Sequence, residues 1–161
     1  MKKKIWCMGC LLLGSYLQAD PYAYSYQLIR NEIPQVVTEG TISVANLNLN
    51  RQGNSIMARP GEKIFSTINF FCDVDYAEMD VLHQIVIGYD MLGAQKCIFN
   101  EHGTRYEEGI LSFFLEAPKK EGEYEIQCSL EKAYSPVEAL KNWNSNNSKK
   151  FTVGKIIVIE N

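Results

Sequence analysis

Two histidines, five cysteines and one acidic run hold most of the chain's capacity for acid-base, nucleophilic or metal chemistry. Imidazole is the side chain best suited to general-base work near neutral pH and a frequent metal ligand, which leaves His83 and His102 to examine. His83 opens a run of apolar residues, where a structural histidine is expected; His102 falls in the loop Asn100–Gly109 and is a candidate contact residue. A nucleophile site built from Cys97, a histidine and an aspartate lacks any family signature. A hydrolase Gly-Ser motif, a phosphate loop, a dinucleotide fingerprint and Cys-rich zinc spacing are also missing. The expectation is a non-catalytic protein without a cofactor, an unrecognised enzyme being the third choice. Asp73, Asp75, Glu78 and Asp80 are weak calcium candidates, because hard cations take oxygen ligands from acidic loops; the EF-hand glycine and closing glutamate are missing, so a solvated loop is the preferred reading.

Contact chemistry is better represented than catalytic chemistry. Tyr22, Tyr24 and Tyr26 alternate at period two, so an extended segment would present three phenol rings on one side. Such a stripe suits stacking on a sugar or docking on a partner, although packing as an edge strand is the plainer account. The loop around His102, Arg105 and Tyr106 is the second candidate surface, since recognition commonly sits on loops held by a rigid scaffold.

These residues need a frame and a compartment. Lys2, Lys3 and Lys4, then the apolar run Ile5–Leu13, then Ser15 to Ala19, follow the plan of a signal peptide, with cleavage expected after Ala19 and residues 20–161 forming one domain. A lipoprotein cut before Cys10 is disfavoured by the shortness of the apolar run ahead of it. The expectation is an exported chain, periplasmic or secreted, with no transmembrane segment, because no stretch approaches the ~20 apolar residues a spanning helix needs. Of 161 residues, 46% are hydrophobic and 22% charged, the profile of a folded domain. Loss of three lysines with the leader leaves 13 Lys+Arg against 19 Asp+Glu, a net charge of −6 that disfavours nucleic acid and anionic lipid.

Short runs rich in Ile, Val, Phe and Tyr, separated by Gly, Pro, Asn or Asp, predict an all-β domain of seven to eight strands. They lie near Tyr24–Ile29, Gly40–Leu49, Lys63–Val74, Leu82–Tyr89, Gln95–Asn100, Ile110–Ala117, Tyr124–Lys132 and Phe151–Ile159. One helix is expected before the last strand. Ser135-Pro136-Val137-Glu138 has the composition of a capping box, and Ala139, Leu140 and Trp143 supply an apolar stripe. Strand parity points Cys72 and Cys128 inward: Ile68, Phe70 and Cys72 share one face, as do Tyr124, Ile126 and Cys128. An odd cysteine, Cys97, is left for a buried thiol or a disulfide-linked dimer.

The set Gly122, Tyr124, Ile126 and Cys128 after a turn at Pro118, with an inward Cys72 on an earlier strand, resembles the immunoglobulin-like superfamily. The stretches His83–Asn100 and Tyr124–Trp143 are also similar to exported bacterial modules of no assigned activity. Tyr124 stands four residues before Cys128 rather than two, and no tryptophan lies on the strand after Cys72. The resemblance implies a single β-sandwich of immunoglobulin-like type and an inter-sheet disulfide from Cys72 to Cys128, which would add about 4 kcal/mol in the chain-entropy model. Pairings through Cys97, or three free thiols, remain the alternatives. Fold does not fix function. The functional expectation is a binding module for a protein in the cell envelope or outside the cell, with a carbohydrate-binding module resting on the tyrosines and Trp143 as the alternative.

Overall fold

The computed structural model describes residues 36–39, 42–73, 82–102, 107–145 and 148–160. They form nine strands and one helix in the order β1 (Val36–Glu39), β2 (Ile42–Leu49), β3 (Ser55–Ala58), β4 (Lys63–Cys72), β5 (Leu82–Tyr89), β6 (Gly93–His102), β7 (Glu107–Glu116), β8 (Gly122–Ala133), α1 (Pro136–Asn144) and β9 (Phe151–Val158). Two sheets result. A four-stranded sheet has the order β1-β2-β4-β7, and a five-stranded sheet the order β3-β9-β8-β5-β6. All neighbours are antiparallel except β3 and β9, which run parallel.

Alternation builds the core between the sheets. On β4 the even positions Ile64, Ser66, Ile68, Phe70 and Cys72 are buried while Lys63, Phe65 and Asn69 face out. Sheet packs on sheet through Phe70 against Phe99, ring centroids 4.8 Å apart, while Tyr89 and Tyr124, on adjacent strands of the five-stranded sheet, form an edge-to-face pair at 6.2 Å. The parity of β2 breaks midway. Ile42 and Val44 point inward, then a bulge between Ala45 and Asn48, with Asn46 at φ 55°, turns Leu47 and Leu49 inward instead. Asn50 at φ 48° and Arg51 at φ 64° then carry the chain to the other sheet, where β3 begins. Asparagine tolerates this left-handed conformation better than most residues, and the Asn50 side chain accepts the Phe65 N–H at 3.0 Å.

A third layer is α1. The Ser135 hydroxyl accepts the Glu138 N–H at 3.2 Å, and Pro136 occupies the first turn. The Glu138 carboxylate reaches back to the N–H of Tyr134, one residue before the cap, so the box closes one position early. Ala139 and Trp143 lie buried with Val86 and Ala133 on the outer face of the five-stranded sheet. That cover explains one departure from expectation: Ser129 and Glu131, on the polar side of β8 by alternation, are buried.

The expected Cys72–Cys128 disulfide is not formed. Both residues point into the core as parity predicts, yet both are free thiols, as is Cys97. The reason is height along the strands. Phe70 packs on Phe99, which is in register with Ile85, and Ile85 with Leu130. Cys72 lies two residues from this level in one sense and Cys128 two residues in the other. Four residues at ~3.3 Å each separate them by about 13 Å along the strands, beyond the ~7 Å Cα reach of a disulfide. Nine strands stand where seven to eight were expected, since β1 and β3 are four-residue strands too short to show a period. The expected strand Tyr24–Ile29 lies outside the described residues.

Candidate functional site

The two outer faces of the sandwich are unequal. Helix α1 lies on the five-stranded sheet, whereas no element among the described residues covers the outer face of the four-stranded one. Outward residues of β4 and β7 meet there in register: Phe65 with Phe114, Thr67 with Ser112, Asn69 with Ile110 and Phe71 with Glu108. Phe65 and Phe114 form an edge-to-face pair at 5.6 Å. Ile110 is 68% exposed and Phe114 58%, and Val36 on β1 adds to the same face through its pairing with Ala45, the neighbour of Asn69. Exposed hydrophobic side chains on one side of a sheet, interleaved with Ser, Thr and Asn, have the chemistry suited to contact with another surface.

This face ends at β7, an edge strand. Its backbone groups can be sorted by the alternation of antiparallel ladders. Just past β7, the Ala117 N–H donates to the Glu62 carbonyl at 2.8 Å and the Ala117 carbonyl accepts from Gly61 at 3.2 Å. Odd positions therefore bond to β4, and the N–H and C=O of Ile110, Ser112, Phe114 and Glu116 face the open side. The Tyr89 hydroxyl confirms the phase, crossing from the other sheet to donate to the Glu116 carbonyl at 3.0 Å. Burial, and then the Glu116 carboxylate, push the Tyr89 phenol far above its usual range, so it stays a donor. At this end a cleft of about 170 Å³ is lined by Tyr89, Leu92, Gln95, Glu116, Pro118 and Lys119.

The residues singled out in the sequence fall elsewhere. Tyr22, Tyr24, Tyr26, Arg105 and Tyr106 lie outside the described residues, as do Asp75, Glu78 and Asp80. His102 ends β6, its backbone in register with Leu82. Asp73 follows β4 directly, and among the described residues no group of three His, Cys, Asp or Glu is placed to hold a metal ion. His83 is fully buried in β5. Trp143, counted toward sugar stacking, is 1% exposed and belongs to the packing under α1. The thiols are poor nucleophiles: burial pushes Cys128 up to about 12 and, with help from Glu107 and Asp73, Cys72 up to about 11. Cys97, half-buried, is also raised by burial, and its thiol donates to the Phe99 carbonyl at 3.0 Å.

The exposed face was missed although its signal is present. In Ile110–Glu116 the residues Ile, Ser, Phe and Glu alternate with Leu, Phe and Leu, so both faces carry hydrophobic side chains and one of them must meet solvent or a partner. The chain matches no protein-family model, and no curated protein is detectably similar to it.

Proposed function

We propose that the chain is an exported, non-catalytic binding module that recognises a protein in the cell envelope or outside the cell. The observation that carries this reading is the outer face of the four-stranded sheet, uncovered among the described residues, where a continuous ladder holds Phe65, Ile110 and Phe114 exposed. The lysine-led apolar leader supports export. An immunoglobulin-like type is supported by two details. Tyr124, at the start of β8, donates its hydroxyl to the Lys120 carbonyl at 2.9 Å, as a tyrosine corner does. The second is the division of the strands into a four-stranded and a five-stranded sheet, the latter centred on β8.

The test is retention of envelope or extracellular proteins on the immobilised chain at physiological salt. Wild type is expected to retain a recurrent, identifiable protein that an Ile110→Ser/Phe114→Ser double variant, still cooperatively folded at the assay temperature, does not. Equal retention by both would reject the face. Retention of glycan alone would transfer the argument to Tyr22, Tyr24 and Tyr26.

A further inference from the structure

Among the described residues the sandwich has four edge strands, and three of them are protected against pairing with another chain. β1 and β3 are each four residues long. β6 is ten residues long, but its register with β5 shifts twice, between Ile85 and Val86 and between Ile87 and Gly88, and it carries an exposed lysine, Lys96. Short length, bulges and edge lysines are the devices by which β-proteins keep their edges from being extended. β7 has none of them. Its ten residues hold one unbroken register with β4 from Cys72–Glu107 to Lys63–Glu116, and Glu107–Glu116 contains no Lys, Arg or Pro.

We propose that the β7 edge takes up an extended segment of a partner protein as an added strand, and that the segment alternates apolar residues between flanking basic ones. This rests on the binding-module reading and deepens it. The backbone of Ile110, Ser112 and Phe114 offers a row of donors and acceptors to the open side, where β7 has no partner strand among the described residues. The side chains beside that row read Glu108, Ile110, Ser112, Phe114, Glu116: two exposed hydrophobic residues about a small one, with a carboxylate at each end. The pattern is the same in either direction, so a parallel or antiparallel strand meets it alike.

Charge selects the occupant. A second copy of the chain, paired antiparallel about Ser112, would set Glu108 against the partner copy's Glu116 at both ends, and like charges directly opposite destabilise a strand pair. Lysine or arginine at those two positions, with apolar residues opposite Ile110 and Phe114, is complementary in charge and hydrophobicity to the edge along its length.

The experiment titrates the isotope-labelled full chain with the peptide Lys-Thr-Ile-Thr-Ser-Thr-Val-Thr-Lys and with its counterpart carrying Glu at both ends. The lysine peptide is expected to bind about tenfold more tightly, with amide shifts and exchange protection at Ile110, Ser112 and Phe114. Ser112→Pro removes one outward N–H without touching a bond to β4 and abolishes uptake. Glu108→Lys/Glu116→Lys, which leaves the backbone intact, reverses the preference between the peptides. Equal affinity for both peptides, no binding by either, protection elsewhere, or a dimer dispersed by Ser112→Pro would each overturn the proposal. The two readings fail separately: an envelope partner still retained by Ser112→Pro removes the edge and leaves the face, whereas peptide pairing at β7 with no partner lost from the Ile110→Ser/Phe114→Ser variant removes the face alone.

Discussion

Two free thiols set in the β-core, Cys72 and Cys128, and a third half-buried beside the helix, Cys97, define the chemistry of individual residues here. Cys128 is neutral in the folded state up to about 12, whereas in the unfolded chain it ionises near 9.0. A group whose folded value is raised contributes stability that is intact below the unfolded value and fades as pH climbs toward the folded one. Unfolding free energy should therefore hold steady to about pH 8 and fall between pH 9 and 12, by at most ~1.4 kcal/mol per pH unit for each thiol. Denaturant midpoints across that window test this, and Cys128→Ala should fall less steeply than wild type. Since Cys72, Cys97 and Cys128 are unpaired among the described residues, reducing agent should leave the melting temperature unchanged, and thiol titration should count Cys72 and Cys128 only after denaturation. Close approach governs a second residue. A Cβ on Gly154 would sit 2.6 Å from both the Asn54 carbonyl oxygen and Leu47 Cδ2, so Gly154→Ala should cost about 1–3 kcal/mol in equilibrium unfolding.

Among elements, α1 depends on a few side chains with separable roles. Trp143→Ala empties the space between helix and sheet and should cost about 3–5 kcal/mol, while Ser135→Ala removes only the cap and should cost about 1 kcal/mol, both read from denaturation curves. The helix was legible in the sequence because Ser135, Pro136 and Glu138 act within one turn, and β4, β5 and β8 were legible because period two needs only local residues. What depends on contacts between elements was not legible. Parity gave the inward direction of Cys72 and Cys128, but their heights depend on how the sheets slide, which Phe70 and Phe99 settle. Ser129 and Glu131 read as solvent-facing until α1 lies over them. The bulge at Asn46 leaves a trace, the shift from Ile42 and Val44 to Leu47 and Leu49, which can be recognised only once the strand is known to continue through it. The exposed face on β7 was hidden for a related reason: Ile110 and Phe114 look like core until Leu111, Phe113 and Leu115 are found to fill that role.

At the scale of the molecule, the sandwich is shielded by a helix on one side and, among the described residues, left open on the other, so surface changes on the open face should affect association more than stability. Phe114→Ser loses one ring contact and should lower stability by no more than about 1 kcal/mol, a difference that calorimetry resolves. The connectivity has a kinetic consequence. The parallel ladder of β3 and β9 joins Ser55–Ala58 to Lys155–Val158, so a strand made early in synthesis waits about a hundred residues for its only partner among the described strands. β8 likewise lacks one of its two neighbours until β9 arrives. Such long-range closure carries a large loop entropy before any contact repays it, which makes folding slow and late. Nascent chains arrested before Phe151 should therefore stay open to protease, and release of the final strand should act as the latch that turns a threadable chain into a closed sandwich.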